Sequence, residues 1–138
     1  MRVVFDTNIF FSFLIAPAGP PFLAVRLWVD GKFDLITCAQ QIEEVRRVSR
    51  YSKFRNSFAP HEVGDLVNML KGSIYSGRIA RKYTCDDPDD AYLLDLADAS
   101  GADFLVTGDH SSGLLTQKKI GRASIATVRV FLKAVSGQ

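Results

Sequence analysis

Four carboxylates stand where a chain of alternating strands and helices would place its chemistry. Asp6 follows the apolar run VVF and Asp109 follows FLVTG, so two strand-like segments each finish on an aspartate. In parallel α/β sheets, ligands bind beyond the carboxyl ends of the strands. Asp also makes good turns and helix caps after a strand, which explains either residue taken alone. Two at one edge point instead to a site.

Helix phase adds two more acids, because residues advance by 100° per position and only some point back at the sheet. In a helix opening at Pro88, Asp90 shares the stripe of Leu93, Leu94 and Ala97, whereas Asp95 lies round toward the opposite face. In a helix from Ala39, Glu44 flanks the stripe of Ile42, Val45 and Val48, and Glu43 stands nearly opposite it. A surface glutamate paired with a nearby arginine explains Glu44 alone equally well. Asp87 and Asp89 read as a helix start, with Asp87 as N-cap and acids in the first turn favoured by the dipole. The convergence of Asp6, Glu44, Asp90 and Asp109 from four segments tips the balance. Carboxylates drawn together repel and titrate abnormally unless a cation holds them. Oxygen-only ligands suit Mg²⁺ or Mn²⁺, and such a centre can activate water for phosphodiester hydrolysis.

The elements that must position these acids emerge from pattern and punctuation. Arg2–Phe5 reads as a buried strand ending on a polar loop at Asp6-Thr7-Asn8, and APAGPP at 16–21 is a breaker. Helical spacing runs from Phe22 to Asp30, and a strand is expected at Phe33–Thr37. Further helices are expected from Ala39 to about Ser52, from Pro60 toward Ile74, and from Asp87 to Ser100, the last closed by Gly101. Ile79–Tyr83 is a short candidate strand, Ala102–Thr107 a clear one, and Ala123–Ala126 a last one before a helix capped by Thr127. The alternation predicts one α/β domain over residues 1–138, a three-layer α/β/α sandwich around a central parallel sheet of Rossmann-like type.

Composition excludes several classes. With 47% hydrophobic and 23% charged residues the chain is neither disordered nor membranous, and 17 basic against 15 acidic residues leave no net field that marks a nucleic-acid binder. Asp6 interrupts any signal-peptide core, and Cys38 and Cys85 form no CxxC pair, so the expectation is a cytoplasmic protein with reduced thiols and no membrane association. His110 with Ser111 and Ser112 suggests a Ser-His-Asp site, but no G-x-S-x-G elbow exists. The first strand runs into DTNIFF without glycine, and Gly108 and Gly113 lack the Lys-Ser/Thr of a P-loop. A phospho-acceptor receiver needs a lysine after its last strand, whereas Lys118 and Lys119 precede it. Arg46, Arg47, Arg50, Lys53 and Arg55 form the densest basic run, either the solvated face of a helix or contacts to the phosphates of an RNA strand. Tyr51 and Phe54 lie within it, placed to stack on bases or, for Phe54, to enter the core.

VVFDTNIFFS, IEEVRRV, DPDDAYLLDLA and LVTGD resemble, in order and spacing, the blocks of the PIN-domain nucleases. The nearest likeness is to the small bacterial and archaeal PIN proteins grouped as toxins of toxin–antitoxin pairs. The resemblance implies a metal-dependent endoribonuclease whose acidic cluster is Asp6, Glu44, Asp90 and Asp109. These would hold one or two Mg²⁺ or Mn²⁺ ions, with Asp87 a further acid beside them. It implies that Asn8 and Thr107 help orient the first and last aspartates, and that cleavage leaves a 5′-phosphate and a 3′-hydroxyl. It implies as partners an RNA substrate, a second copy in a homodimer and a small antitoxin covering the site. Two positions depart from the pattern: Cys38 stands where Ser or Thr is common, and His110-Ser111-Ser112-Gly113 lacks a further acid that would complete a second metal position. The rival reading is a catalytically silent PIN-like module that binds RNA or protein.

Overall fold

The computed structural model describes residues 1–108, 115 and 118–136. β1 (Arg2–Phe5) passes directly into α1 (Thr7–Ile15), and α2 (Pro20–Val29) comes after a four-residue break. Then come β2 (Asp34–Ile36), α3 (Ala39–Ser49), a 3-10 turn at Ser52–Phe54 and α4 (Pro60–Lys71). A second 3-10 turn at Pro88–Asp90 leads into α5 (Ala91–Ser100). β3 (Phe104–Thr107), β4 (Lys119–Ile120), β5 (Ala123–Thr127) and α6 (Val128–Ser136) complete the described chain.

Among the described residues the strands form one sheet in the order β2-β1-β3-β5-β4, parallel except where β4 meets β5. Alternation along the strands divides the core. Val3, Phe5, Leu35 and Val106 face a layer built from α1, α2, α3, α4 and α6, while Val4, Leu105 and Ile125 face Leu93, Leu94 and Ala97 of α5. The expected three-layer α/β/α arrangement is present, with one helical layer much thicker than the other. No single helix among the described residues is long and apolar enough to cross a membrane.

Several local expectations need correction. No polar loop separates β1 from α1: Asp6 is itself the N-cap of that helix, which starts at Thr7. Because Ile9, Phe10 and Phe11 are all buried, α1 lacks the one-sided periodicity that would announce it. The helix from Pro60 stops at Lys71, and Ile74 instead bridges to Thr37 beside β2. Ile79–Tyr83 forms no strand. There the backbone N–H groups of Lys82 and Tyr83 donate to Asp95 Oδ1 at 2.8 and 3.1 Å, so a side chain takes the place of a neighbouring strand. β4 has too few residues to show a pattern. Other signals match: Gly101 ends α5 at φ +65°, and the Thr127 hydroxyl accepts the Val130 N–H at 3.3 Å.

Phe131 of α6 fills the thick layer, fully buried with ring centroids 6.0, 5.3 and 5.4 Å from Phe5, Phe33 and Phe104. Phe131→Ala is expected to lower unfolding free energy by about 3–5 kcal/mol in urea titration. Val130→Ala, beside it but 55% exposed, should change it by no more than about 0.5 kcal/mol.

Candidate active site

The connection after β1 leads through α1 and α2 to β2 on one side, while β3 lies on the other. The carboxyl ends of β1 and β3 therefore border the crevice of a topological switch point. Asp6 occupies its floor.

Asp6 is 4% exposed. Its extended backbone lets one carboxylate oxygen, Oδ1, accept the Asn8 N–H at 3.2 Å, and Oδ2 accepts the Thr107 hydroxyl at 3.1 Å. Burial pushes this carboxyl above the usual range, the two hydrogen bonds pull it back, and the charges of Glu44 and Asp87 push it up again. Asn8 thus holds the first aspartate with its backbone, its side chain being exposed. Thr107 contacts that same first aspartate. Asp109 lies outside the described residues, as does His110.

Glu44 is oriented by two hydroxyl groups from separate elements. Its Oε1 accepts Thr7 Oγ1 of α1 at 2.6 Å and the Tyr92 hydroxyl of α5 at 2.5 Å. Behind Thr7 stands Gln41, fully buried. Its amide donates to the Phe5 carbonyl at 2.6 Å and to Thr7 Oγ1 at 3.2 Å, and its carbonyl accepts the Thr37 hydroxyl at 2.5 Å. Burial raises the Tyr92 phenol, and the Glu44 charge adds to this, so its proton stays available for that bond. The surface-pair explanation of Glu44 does not hold, since Arg46 instead meets Glu43 at 3.1 Å.

Asp90 ends the turn before α5, half-buried. Burial pushes its carboxyl up to about 7, and Asp6, Asp87, Glu44 and Asp89 push the same way. Asp87 caps that turn, its Oδ1 accepting the Asp89 N–H at 3.0 Å. Asp6, Glu44, Asp87 and Asp90 are thus close enough to sense one another's charge. Among the described residues, no lysine or arginine pairs with any of them, and no three acidic, histidine or cysteine groups are placed to hold one metal ion.

Of the basic candidates, Arg47, Arg50 and Lys53 are exposed, and Lys53 lies 5.1 Å from the Phe54 ring centroid. Phe54 stacks on Phe11 at 4.9 Å and belongs to the core, while Tyr51 is 46% exposed. A cleft of about 470 Å³ is bounded by Cys38, Gln40, Ile79, Arg81, Tyr92 and Asp95, and none of Asp6, Glu44, Asp87 and Asp90 lines it. Both cysteines are free thiols. Sequence reasoning missed Thr7, Gln41 and Tyr92. Gln41 had a readable signal, a polar residue one turn before Val45 on the apolar side of α3.

The raised Asp90 carboxyl makes a stability prediction for metal-free protein. The folded state keeps a proton to about pH 7 that the unfolded chain releases near 3.8, so its contribution is full below about 4 and lost as pH rises through 7. Partial exposure reduces the effect to about 1–2 kcal/mol. In EDTA, the stability of wild type relative to Asp90→Asn should fall by this amount between pH 4 and 8, measured by urea unfolding. An unchanged difference would refute the crowding of charge described above.

A family model described as the PIN domain matches residues 2–111, a span that includes Asp6, Glu44, Asp87, Asp90 and Asp109. Comparison with curated proteins and with solved structures gave no match. PIN domains are generally nucleases and typically use divalent metals. With an α/β/α fold and most of its length matched, the chain belongs to the PIN-domain family.

Proposed function

We propose that this PIN domain is a divalent-metal-dependent endoribonuclease, the cytoplasmic toxin component of a toxin–antitoxin pair, working as a homodimer until an antitoxin covers the acidic site. The observation that carries the reading is the crowding of Asp6, Glu44 and Asp90 at one sheet edge without a basic partner among the described residues. With its carboxyl raised to about 7, Asp90 is only about half ionised at neutral pH, and a nearby cation would favour the charged form.

The donor set fits Mg²⁺ or Mn²⁺. Every donor is a carboxylate oxygen, and these ions bind through few carboxylates while keeping several waters, so a closed protein cage is not required. Asp6, Glu44, Asp90 and Asp109 would hold the ion, with Asp87 beside them. When bound, it neutralises phosphate charge and lowers the pKa of water. The chain's own residues prepare the place: Thr107 and the Asn8 N–H fix both oxygens of Asp6, and Thr7 and Tyr92 fix one oxygen of Glu44, leaving Oε2 with no donor among the described residues. Arg46, Arg47, Arg50 and Lys53 supply positive surface for RNA phosphates.

One observation favours the rival reading of a silent RNA- or protein-binding module: among the described residues no three acidic, histidine or cysteine groups are already placed around one point. A cleavage assay separates the two. Purified protein given varied RNAs with Mn²⁺ or Mg²⁺ should produce fragments with 5′-phosphate and 3′-hydroxyl ends, and EDTA should stop it. Asp6→Asn and Asp90→Asn should each lower the rate by about a hundredfold or more, the order of a lost electrostatic contact in a transition state. Equal degradation by wild type and variants, or none with either metal, would overturn the proposal.

A further inference from the structure

The basic run contains a concave site that the family match does not assign. Where α3 ends and α4 begins, Arg46, Arg50 and Arg55 line a cleft of about 490 Å³ floored by Phe54, Phe58 and Val63. No carboxylate among the described residues lines it, and Arg50 and Arg55 have no acidic partner within ion-pair distance there. Basic residues in the last turn of a helix are commonly explained by the dipole. That covers Arg46 and Arg47, but not Arg55, which lies beyond both α3 and the 3-10 turn after it yet borders the same cleft. Arg47 and Lys53 stand outside it.

We propose that this cleft is a docking subsite for single-stranded RNA, binding a nucleotide that lies away from the scissile phosphate. This rests on the reading of the chain as a ribonuclease. Arg50 and Arg55 supply forked donors for phosphate oxygens, Arg46 being already paired with Glu43, and Ser49 and Asn56 add polar contacts for sugar or base edges. The apolar floor suits the face of an unpaired base, a combination that nucleic-acid grooves use without sequence preference. Charge and floor together favour a nucleic-acid strand over an acidic peptide.

Position decides the role. Arg50 lies six residues after Glu44, about 9 Å along the axis of α3, and is rotated about 120° from it. A strand in the acidic site must continue past the end of α3 to reach the cleft. The cleft therefore contributes to binding of long substrates and not to the chemical step.

The test is fluorescence anisotropy in EDTA with a labelled uridine RNA of about 20 nucleotides, comparing wild type with Arg50→Ala/Arg55→Ala. Both positions are exposed, and an unchanged thermal midpoint would show that the variant folds. The RNA should bind the variant about tenfold more weakly, with a log–log salt slope smaller by about 1.4. In Mn²⁺ the variant should cut long RNA with raised KM and unaltered kcat. Equal affinity and slope for this RNA would overturn the subsite even if RNA is cut. If an acid-rich peptide displaces the arginine-dependent share of RNA binding at lower concentration than unlabelled uridine RNA does, the subsite is overturned in favour of a protein partner. Arginine-dependent binding without cleavage in either metal would support the subsite and remove the nuclease reading alone.

Discussion

Burying a carboxylate away from a cation is unfavourable unless its oxygens are satisfied, and Asp6 meets that condition by drawing on two distant parts of the chain. One oxygen accepts a first-turn N–H of α1, within reach because Asp6 is itself the N-cap of that helix. The other uses a hydroxyl at the end of β3, about a hundred residues later in sequence. The pairing of β1 with β3 must be in register for that hydroxyl to arrive, and Phe5 does lie opposite Val106. Sheet register and the orientation of the central acid are thus one requirement.

Glu44 imposes a second requirement across the layers. α3 and α1 belong to the thick side of the sandwich, α5 to the thin side, yet hydroxyl groups from α1 and α5 meet on the same glutamate oxygen. Gln41 extends the link to the last carbonyl of β1 and to Thr37. Thr7, Gln41, Thr37 and the Tyr92 hydroxyl all find partners in it, which is what a polar network inside a core must achieve to add order. Four elements therefore have to be in place together before Glu44 is held.

Much of this was legible in the residues. VVF and FLVT announced buried parallel strands, and Asp87-Pro88 with Gly101 marked the start and end of the turn and helix at 88–100, although Asp90 ends a 3-10 turn ahead of α5 and so owes its place to that turn and not to helix phase. What escaped reading shares a physical cause. α1 is buried on several sides and has no stripe, β4 has only two residues, and Ile79–Tyr83 has strand-like composition but bonds to a side chain, Asp95. Thr7 and Tyr92 are defined by partners 37 and 48 residues away, and local periodicity carries no trace of such contacts. Asp95 faced away from the stripe of Asp90, as its phase requires, but is buried because the segment at 82–83 covers that side of α5.

The borders of the sheet have a consequence of their own. On one side β4 runs antiparallel and is only two residues long; on the other, the stretch around Ile74 bridges to Thr37 where β2 ends. Open strand borders invite copies of a protein to extend one another's sheets, and short or covered ones discourage it. Here the described borders offer little for another chain to continue, so self-association by strand addition is disfavoured.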